Sequence, residues 1–286
     1  MSRGDNRPIG IFDSGVGGLT VAAELIKAMP NENIVYFGDT ARVPYGSKSK
    51  ETVTKFSAQI VRYLLTKNVK CVVIACGTAS SNSYDELKAM FDVPLFEMVT
   101  PAASAGAAAT TNKKIGVIGT EATIKSGAYE KAVLAIDKNI EVFKKACPLF
   151  VPLAEEGWTE NEIARLTAKE YLKDFLDYGM DTLILGCTHY PLLINCINKV
   201  TGRKQRDGSL ASCEAREPSP CFIINPAEHA AVKVKAFLRE ADLERTDRGN
   251  AERLFFVSDN TEKFNQISKA AMGVEYKAVK VDIEGY

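Results

Sequence analysis

The sequence predicts an α/β protein whose parallel strands are covered by helices on both faces. Short apolar segments that suit buried strands alternate with segments of helical spacing, as in "PIGIFDS" followed by "GLTVAAELIKAMP". The pattern also begins twice, because "KIGVIGTEAT" resembles "PIGIFDSGVG" and "DTLILGCTHYPLL" resembles "VKCVVIACGTASS". Cys76 and Cys187, in the second pair, lie about 110 positions apart, close to the offset between the two Ile-Gly strands. We therefore expect two similar halves.

Local signals define the elements in order. The first half has predicted strands in "PIGIFDS", "NIVYFGDT", "CVVIAC" and at 93–96. Between them lie a helix closed by Pro30, the loop "ARVPYGSKS", a helix over 51–67 and the helix "SSNSYDELKAMF". Thr100 and Pro101 begin an Ala-rich helix, since proline at the first helical position loses no needed N–H. From Lys114 strand and helix alternate again.

The C-terminal part has a different composition. Residues 202–220 contain almost no large apolar side chains and several Gly and Pro, which predicts an exposed loop. The helix "PAEHAAVKVKAFLRE", the strand "RLFFVSD" and the helix "TEKFNQISKAAMG" follow. Chain order alone leaves open which sheet these elements join.

Composition excludes several classes of protein. The 286 residues are 46% hydrophobic and 25% charged, with 36 basic and 36 acidic side chains, so no net field favours nucleic acid. The N-terminal stretch has no apolar export signal and no segment reaches membrane-spanning length, so we expect a cytoplasmic protein without a membrane partner. The seven cysteines form no C-x-x-C pair and there are only two histidines, which predicts neither disulfides nor a metal site.

Polar clusters follow four of the predicted strands. In open parallel sheets ligands bind at the carboxyl ends of strands, and the N–H groups of a following helix suit a carboxylate or phosphate. Ordinary helix capping is the alternative for any one cluster. Dinucleotide binding is excluded because Thr20 stands where G-x-G-x-x-G requires glycine, and no P-loop pattern occurs. The clusters are Asp13-Ser14, Asp39-Thr40, Cys76-Gly77-Thr78 and Cys187-Thr188-His189.

Two of these clusters carry a thiol at a predicted strand-to-helix junction, where the helix dipole stabilises thiolate. Equivalent thiols in two similar halves predict paired bases on opposite sides of one carbon, as inversion of a stereocentre requires. The alternative is that Cys76 and Cys187 are two buried core cysteines. His189 is either a structural residue or a supporting acid/base, and we assign no role to His229.

At these residues the sequence resembles the cofactor-independent glutamate racemases. The similar segments span nearly the whole chain: "IGIFDSGVGGLTV", "GDTARVPYGSKS", "VIACGTAS", "IGVIGT", "CPLFVPLAEEG", "LILGCTHYPLL" and "FFVSDNTEKF". The resemblance implies interconversion of L- and D-glutamate without a cofactor, and supply of D-glutamate for peptidoglycan. It implies two flavodoxin-like domains, 1–99 plus 221–286 and 100–220, with the active site in the cleft between them, and commonly a homodimer.

The resemblance also implies residue roles. Cys76 and Cys187 would be the proton carriers, the first acting on D-glutamate and the second on L-glutamate. Asp13 and His189 would tune or relay protons, with Glu155 as a helper. The residues that would hold the carboxylates and amino group of glutamate are Ser14, Tyr45, Gly46, Thr78 and Thr188, with Asp13, Gly77 and His189 beside them.

The chain departs from the family pattern at two positions. Gly77 stands where Asn is usual and leaves a backbone N–H and a small gap, and Asn225 stands where Asp is usual. Two other functions therefore stay open. One is a related racemase acting on aspartate or a hydantoin. The other is a binding or regulatory module without catalysis, such as the gyrase inhibition known for some racemases of this type.

Overall fold

The computed structural model describes residues 4–202, 221–247 and 249–286. These residues form two parallel β-sheets with helices on both faces, as the sequence predicts. No helix in the described ranges is both long enough and apolar enough to cross a membrane.

The first sheet has six strands in the order β10-β9-β2-β1-β3-β4, and all of its pairings are parallel. The strands are β1 (Ile9–Asp13), β2 (Ile34–Gly38), β3 (Cys71–Ile74), β4 (Leu95–Phe96), β9 (Arg253–Val257) and β10 (Ala278–Lys280). The helices around it are α1 (Leu19–Ala28), α2 (Lys50–Thr66), α3 (Gly77–Met90), α10 (Pro226–Glu240) and α11 (Thr261–Met272).

Alternation along β1 explains why both faces of this sheet are covered. Ile11 packs in a cluster with α1, α10 and α11, whereas its neighbour Phe12 packs on the opposite face with α2 and α3. Successive side chains of a strand point to opposite faces, so a fully apolar strand needs a helix layer on each side.

The second sheet has four parallel strands in the order β6-β5-β7-β8. The strands are β5 (Lys114–Gly119), β6 (Glu141–Ala146), β7 (Thr182–Leu185) and β8 (Phe222–Ile224). Its helices are α4 (Val99–Ala109), α5 (Glu121–Ser126), α6 (Ala128–Ile136), α7 (Phe150–Glu155), α8 (Glu162–Asp177) and α9 (Ile194–Thr201). Strand β6 escapes prediction because it is a half-exposed edge strand with charged side chains.

The two sheets share one strand order. In the first, β1 lies between β2 and β3 with β4 beyond, and in the second β5 lies between β6 and β7 with β8 beyond. The internal duplication read from the sequence therefore extends to topology. Cys76 after β3 and Cys187 after β7 occupy equivalent places.

The chain leaves the second sheet later than predicted. The family resemblance implies that residues from 221 onward belong to the first domain, but Phe222–Ile224 pairs with β7 as the edge strand of the second sheet. The polypeptide returns to the first sheet only at α10, which packs on α1. A short apolar strand fits either sheet, so its sequence could not decide this point. The predicted exposed loop falls, from residue 203 to 220, outside the described residues.

Candidate active site

A cavity of about 390 Å³ opens between the two halves at the carboxyl ends of their strands. Both halves contribute thiols, Cys76 from the first and Cys187 from the second. The side chains are 4% and 8% exposed, so they are buried as the core-cysteine alternative requires, yet they face one shared cavity. Other lining residues include Ser14, Tyr45, Gly46, Gly77, Thr78, Thr120, Glu155, Thr188 and His189.

Asp13 ends β1 and, although predicted to contact substrate, is not among the residues that line the cavity. Its carboxylate is fully buried and accepts hydrogen bonds from the Gly15 N–H at 2.9 Å and the Thr188 hydroxyl at 3.4 Å. Burial raises the pKa of Asp13 above its ordinary value, although the positive charge of His189 opposes this shift. Asp13 thus joins the first half to the Cys187 cluster of the second.

Cys76 caps the start of α3. Its sulfur accepts from the Ala79 N–H at 3.5 Å and donates to the Ser14 hydroxyl at 3.3 Å. The place at a helix start predicts a lowered pKa, and this prediction is wrong. Burial, with the nearby Asp13 carboxylate, raises the pKa of the Cys76 thiol to about 12, since desolvation outweighs the hydrogen bonds with Ser14 and Ala79.

Cys187 has no α-helix start beside it, contrary to the sequence prediction. The 3₁₀ helix Tyr190–Leu193 follows, and α9 begins only at Ile194. Its neighbour is instead a histidine, with 3.9 Å between the sulfur and Nδ1 of His189. An imidazole therefore takes the place that a helix N-terminus occupies at Cys76.

His189 is held from its other side by Glu155. Nε2 of the ring lies 3.1 Å from Oε1 of Glu155, and the second carboxylate oxygen accepts from Lys263 Nζ at 2.6 Å. Burial by itself lowers the pKa of His189, but hydrogen bonds with Cys187 and Glu155 raise it to about 10. Burial likewise opposes ionisation of Glu155, but bonds from His189 and Lys263 lower its pKa to about 2. These hydrogen bonds favour the charged imidazolium, which lies between the Glu155 carboxylate and the Cys187 sulfur.

At Gly77 the backbones of the two halves lie close together. A Cβ at this position would lie 2.2 Å from the carbonyl oxygen of Gly186, the residue before Cys187. The small gap expected beside Gly77 is therefore absent, because the backbone of the second half fills it. A side chain here would force the two thiol-bearing segments apart.

The remaining predicted residues also line the cavity, in differing ways. Thr188 binds Asp13 as described, and Gly46 faces Thr120, whose Cβ would be 2.7 Å from a Cβ at 46. The Thr78 and Thr120 hydroxyls lie 2.9 Å apart across the two halves. The Tyr45 hydroxyl donates to Asp39 at 2.5 Å, so the ring is fixed and its hydroxyl is engaged.

Two participants were missed by the sequence analysis. Thr120 lines the cavity and caps α5, and it directly follows β5, so the strand-end signal used for the other clusters also marks it. Lys263 lies far along the chain on α11 and carries no local signal for a role in the site. Asn225 caps α10 by accepting from the Ala227 N–H at 3.2 Å. In the described ranges, no cluster of three or more His, Cys, Asp or Glu side chains is arranged to hold a metal ion.

Comparison with known proteins identifies the family of the chain. Residues 17–214 match the model of the family described as Asp/Glu/Hydantoin racemase. The chain is 45% identical over 267 residues to a glutamate racemase of Geobacter metallireducens, covering 93% of each chain. It is 44% identical over 284 residues to that of Thermoanaerobacter pseudethanolicus, covering 99% of this chain and 100% of the relative.

Solved structures give the same result for the fold. The crystal structure of glutamate racemase from Francisella tularensis in complex with D-glutamate superposes with a TM-score of 0.87 at 37% identity, covering 99% of this chain and 100% of that one. The chain belongs to the Asp/Glu/Hydantoin racemase family.

Proposed function

We propose that this protein is a glutamate racemase that inverts the α-carbon of glutamate with Cys76 and Cys187 as its two proton carriers. One observation carries the proposal: two thiols at equivalent places in two duplicated halves line the same cavity. One base on each side of a carbon is the minimum that inversion by proton transfer needs. The glutamate racemases to which the chain is similar supply the choice of substrate.

In the proposed reaction one sulfur enters each turnover as thiolate and the other as thiol. The Cys187 thiolate takes the α-proton of L-glutamate, and the Cys76 thiol gives its proton to the opposite face of the carbanion, forming D-glutamate. The reverse reaction exchanges the two roles.

The α-proton is weakly acidic, so the protein must stabilise a carbanion-like transition state by position and charge. We assign this task to the N–H groups at the start of α3 and to Thr78 and Thr188, which hold the α-carboxylate as it takes on enolate character. Ser14, Tyr45 and Gly46 hold the rest of the substrate. His189, with Glu155 behind it, stabilises the Cys187 thiolate, and Asp13 lies within reach of both sides.

We further propose that the two sheets with their helices act as two domains that close over glutamate, excluding water and aligning both sulfurs. By the same resemblance we propose a cytoplasmic homodimer that supplies D-glutamate for peptidoglycan.

Incubation with L-glutamate in D₂O tests the reaction. We expect optical activity to fall to zero while deuterium appears at Cα, because the proton delivered by the second thiol comes from solvent. Recovery of L-glutamate with full optical activity and no deuterium would refute the proposal.

Parallel incubation with L-aspartate tests the substrate. The side-chain carboxylate of aspartate is one methylene shorter, so we expect much slower turnover than with glutamate. Faster turnover of aspartate would assign the chain to the alternative racemase activity. Inertness toward both, with binding to gyrase in a pull-down, would favour the regulatory alternative.

A further inference from the structure

Glu155 uses both of its carboxylate oxygens, and it uses them for different partners. Oε1 lies 3.1 Å from Nε2 of His189, whereas Oε2 accepts from Nζ of Lys263 at 2.6 Å. The side chains are 22% exposed for Glu155, 8% for His189 and 35% for Lys263. A series of side-chain contacts thus connects Cys187 in the cavity wall to Lys263. His189 and Glu155 lie between them.

The last link of this chain crosses between the two halves. Glu155 ends α7, which packs in the core of the second sheet, whereas Lys263 lies in the first turn of α11, which packs on the first sheet. The start of α11 is fixed, because Asn260 adopts a left-handed conformation with φ +48° and its side chain accepts from the Lys263 N–H at 3.1 Å. The first half therefore presents Lys263 to the second from a rigid helix start.

The position of the Glu155 carboxylate decides how His189 faces Cys187. With Nε2–H donating to Glu155, Nδ1 is the nitrogen directed at the sulfur 3.9 Å away. A histidine whose second nitrogen binds a fixed carboxylate is held in orientation and has its charged form stabilised. A carboxylate that also accepts from an ammonium ion is restrained to one rotamer. Lys263 thereby acts on Cys187 through two intermediate side chains.

Among the described residues, the hydrogen bonds of the Cys76 sulfur lead to no corresponding chain of ion pairs. That sulfur binds the Ser14 hydroxyl and the Ala79 N–H, both from the first half. An effect of Lys263 that travels through Glu155 and His189 should therefore fall on one thiol and spare the other.

We propose that Lys263 is a positioning residue that couples closure of the two halves to the reactivity of Cys187. When the halves meet, the Lys263 ammonium fixes Glu155, Glu155 fixes His189, and the imidazolium stabilises the Cys187 thiolate. The catalytic consequence rests on the proposed function, but the effect on the thiol does not.

The test measures the reactivity of the two thiols separately. Wild type and Lys263→Met are treated with iodoacetamide, and alkylation of Cys76 and Cys187 is quantified by mass spectrometry of the peptides. Methionine keeps most of the alkyl stem and removes the charge. We expect the ratio of the Cys187 alkylation rate to the Cys76 alkylation rate to fall about fivefold. This factor corresponds to the free energy of a partly exposed ion pair. Using the ratio cancels any general change in access to the cavity.

Two variants complete the design. Lys263→Arg keeps a cation of similar reach and should restore most of the ratio. Lys173→Met is the control, because Lys173 forms an exposed ion pair of 2.6 Å with Glu170 on α8. This variant should leave the alkylation ratio unchanged. In a Glu155→Gln background, Lys263→Met should add little, since its route to His189 is already broken.

An unchanged alkylation ratio in Lys263→Met would overturn the proposal. So would a fall in the ratio on adding Lys263→Met to Glu155→Gln that equals the fall caused by Lys263→Met alone. These outcomes are separate from failure of the proposed function. A wild-type protein inert toward glutamate would refute the racemase assignment, whereas the alkylation ratio would still report whether Lys263 acts on Cys187. In an active enzyme, kcat of Lys263→Met should fall with little change in KM.

Discussion

Cys76 and Cys187 follow equivalent strands of two duplicated sheets, but they have different surroundings. Cys76 caps an α-helix and binds neutral groups, the Ser14 hydroxyl and a backbone N–H. Cys187 precedes a 3₁₀ helix and faces a charged histidine that Glu155 holds in place. The two positions are thus equivalent in topology but differ in the groups that contact the sulfur.

The comparison also limits what kinetics can show. Enantiomers are equally stable in water, so kcat/KM of a racemase must be the same in both directions, whatever the asymmetry of its site. A variant affecting one thiol must lower kcat/KM equally both ways. Exchange of the α-proton with solvent is free of this constraint and reports each side separately.

Removing either thiol should have the largest effect. Cys76→Ala and Cys187→Ala should each reduce racemisation by roughly 10³-fold or more, because inversion needs both proton carriers. Deuterium exchange without inversion should survive on one side in each variant: into L-glutamate for Cys76→Ala and into D-glutamate for Cys187→Ala. Polarimetry and mass spectrometry in D₂O measure the two quantities. Near-normal racemisation by either variant would contradict the two-base assignment.

The groups that assist the thiols should differ in importance. Glu155→Gln should lower kcat by roughly 10²-fold, because it removes the charge that orients and stabilises the imidazolium. Ser14→Ala should cost only about fivefold, since it removes one neutral hydrogen bond to Cys76. Each variant should slow exchange mainly on its own side, L-glutamate for Glu155 and D-glutamate for Ser14.

Glu162→Gln is the control for that pair, since it removes an exposed ion pair with Arg165 on α8. It should leave kcat within about twofold of wild type. Equal effects of Glu155→Gln and Ser14→Ala on both sides would show that the two thiols share one environment after all.

Gly77 tests how closely the two halves must meet. Gly77→Ala places a Cβ 2.2 Å from the Gly186 carbonyl oxygen, so the segments bearing the two thiols must separate. We expect kcat to fall about tenfold and the free energy of unfolding to fall by about 1–3 kcal/mol. Gly285→Ala, where nothing lies within 4 Å, is the control in both assays. Normal activity in Gly77→Ala would show that the contact is dispensable.

The smallest expected effect is the dependence of stability on pH. The pKa of Glu155 falls from its ordinary 4.5 to about 2 in the folded protein. The charged carboxylate therefore stabilises the fold above pH 4.5, and this contribution is lost as the pH falls toward 2. Urea unfolding should show wild type more stable than Glu155→Gln by about 1–3 kcal/mol at pH 7, with the difference shrinking below pH 4.5. A difference constant with pH would exclude this origin.

The sequence predicted most of the fold because its signals are local. The strands β1, β2, β3, β5, β7 and β9 are apolar and end in polar or glycine residues, so both their type and their limits could be read. Strand β6 could not be predicted, since a half-exposed edge strand with Lys and Glu side chains has the same composition as a loop. Strand β8 is only three residues long, and its sheet is decided by a partner, β7, about 40 positions earlier.

The candidate site was predictable in its membership but not in its connections. Cys76, Cys187 and His189 follow strand ends, a local signal, and they line the shared cavity. Asp13 also ends a strand, but it contacts the Cys187 cluster only through Thr188. The raised pKa of Cys76 could not be predicted from the sequence, because desolvation depends on how much of the other half covers the sulfur. The link from Lys263 to Glu155 spans 108 positions and two sheets, so no local pattern could reveal it.

The sequence by itself determined the alternation of strands and helices, the duplication, and the placement of one thiol at each equivalent strand end. These features depend on the apolar periodicity and turn residues of short segments. Only the tertiary structure decided that both thiols share a cavity and that Gly77 meets the backbone of the second half. It also decided that Cys76 lies at a helix start whereas Cys187 lies beside the imidazole of His189. Such features arise from distance and burial between residues remote in the chain, and free energies of desolvation and charge pairing are set there.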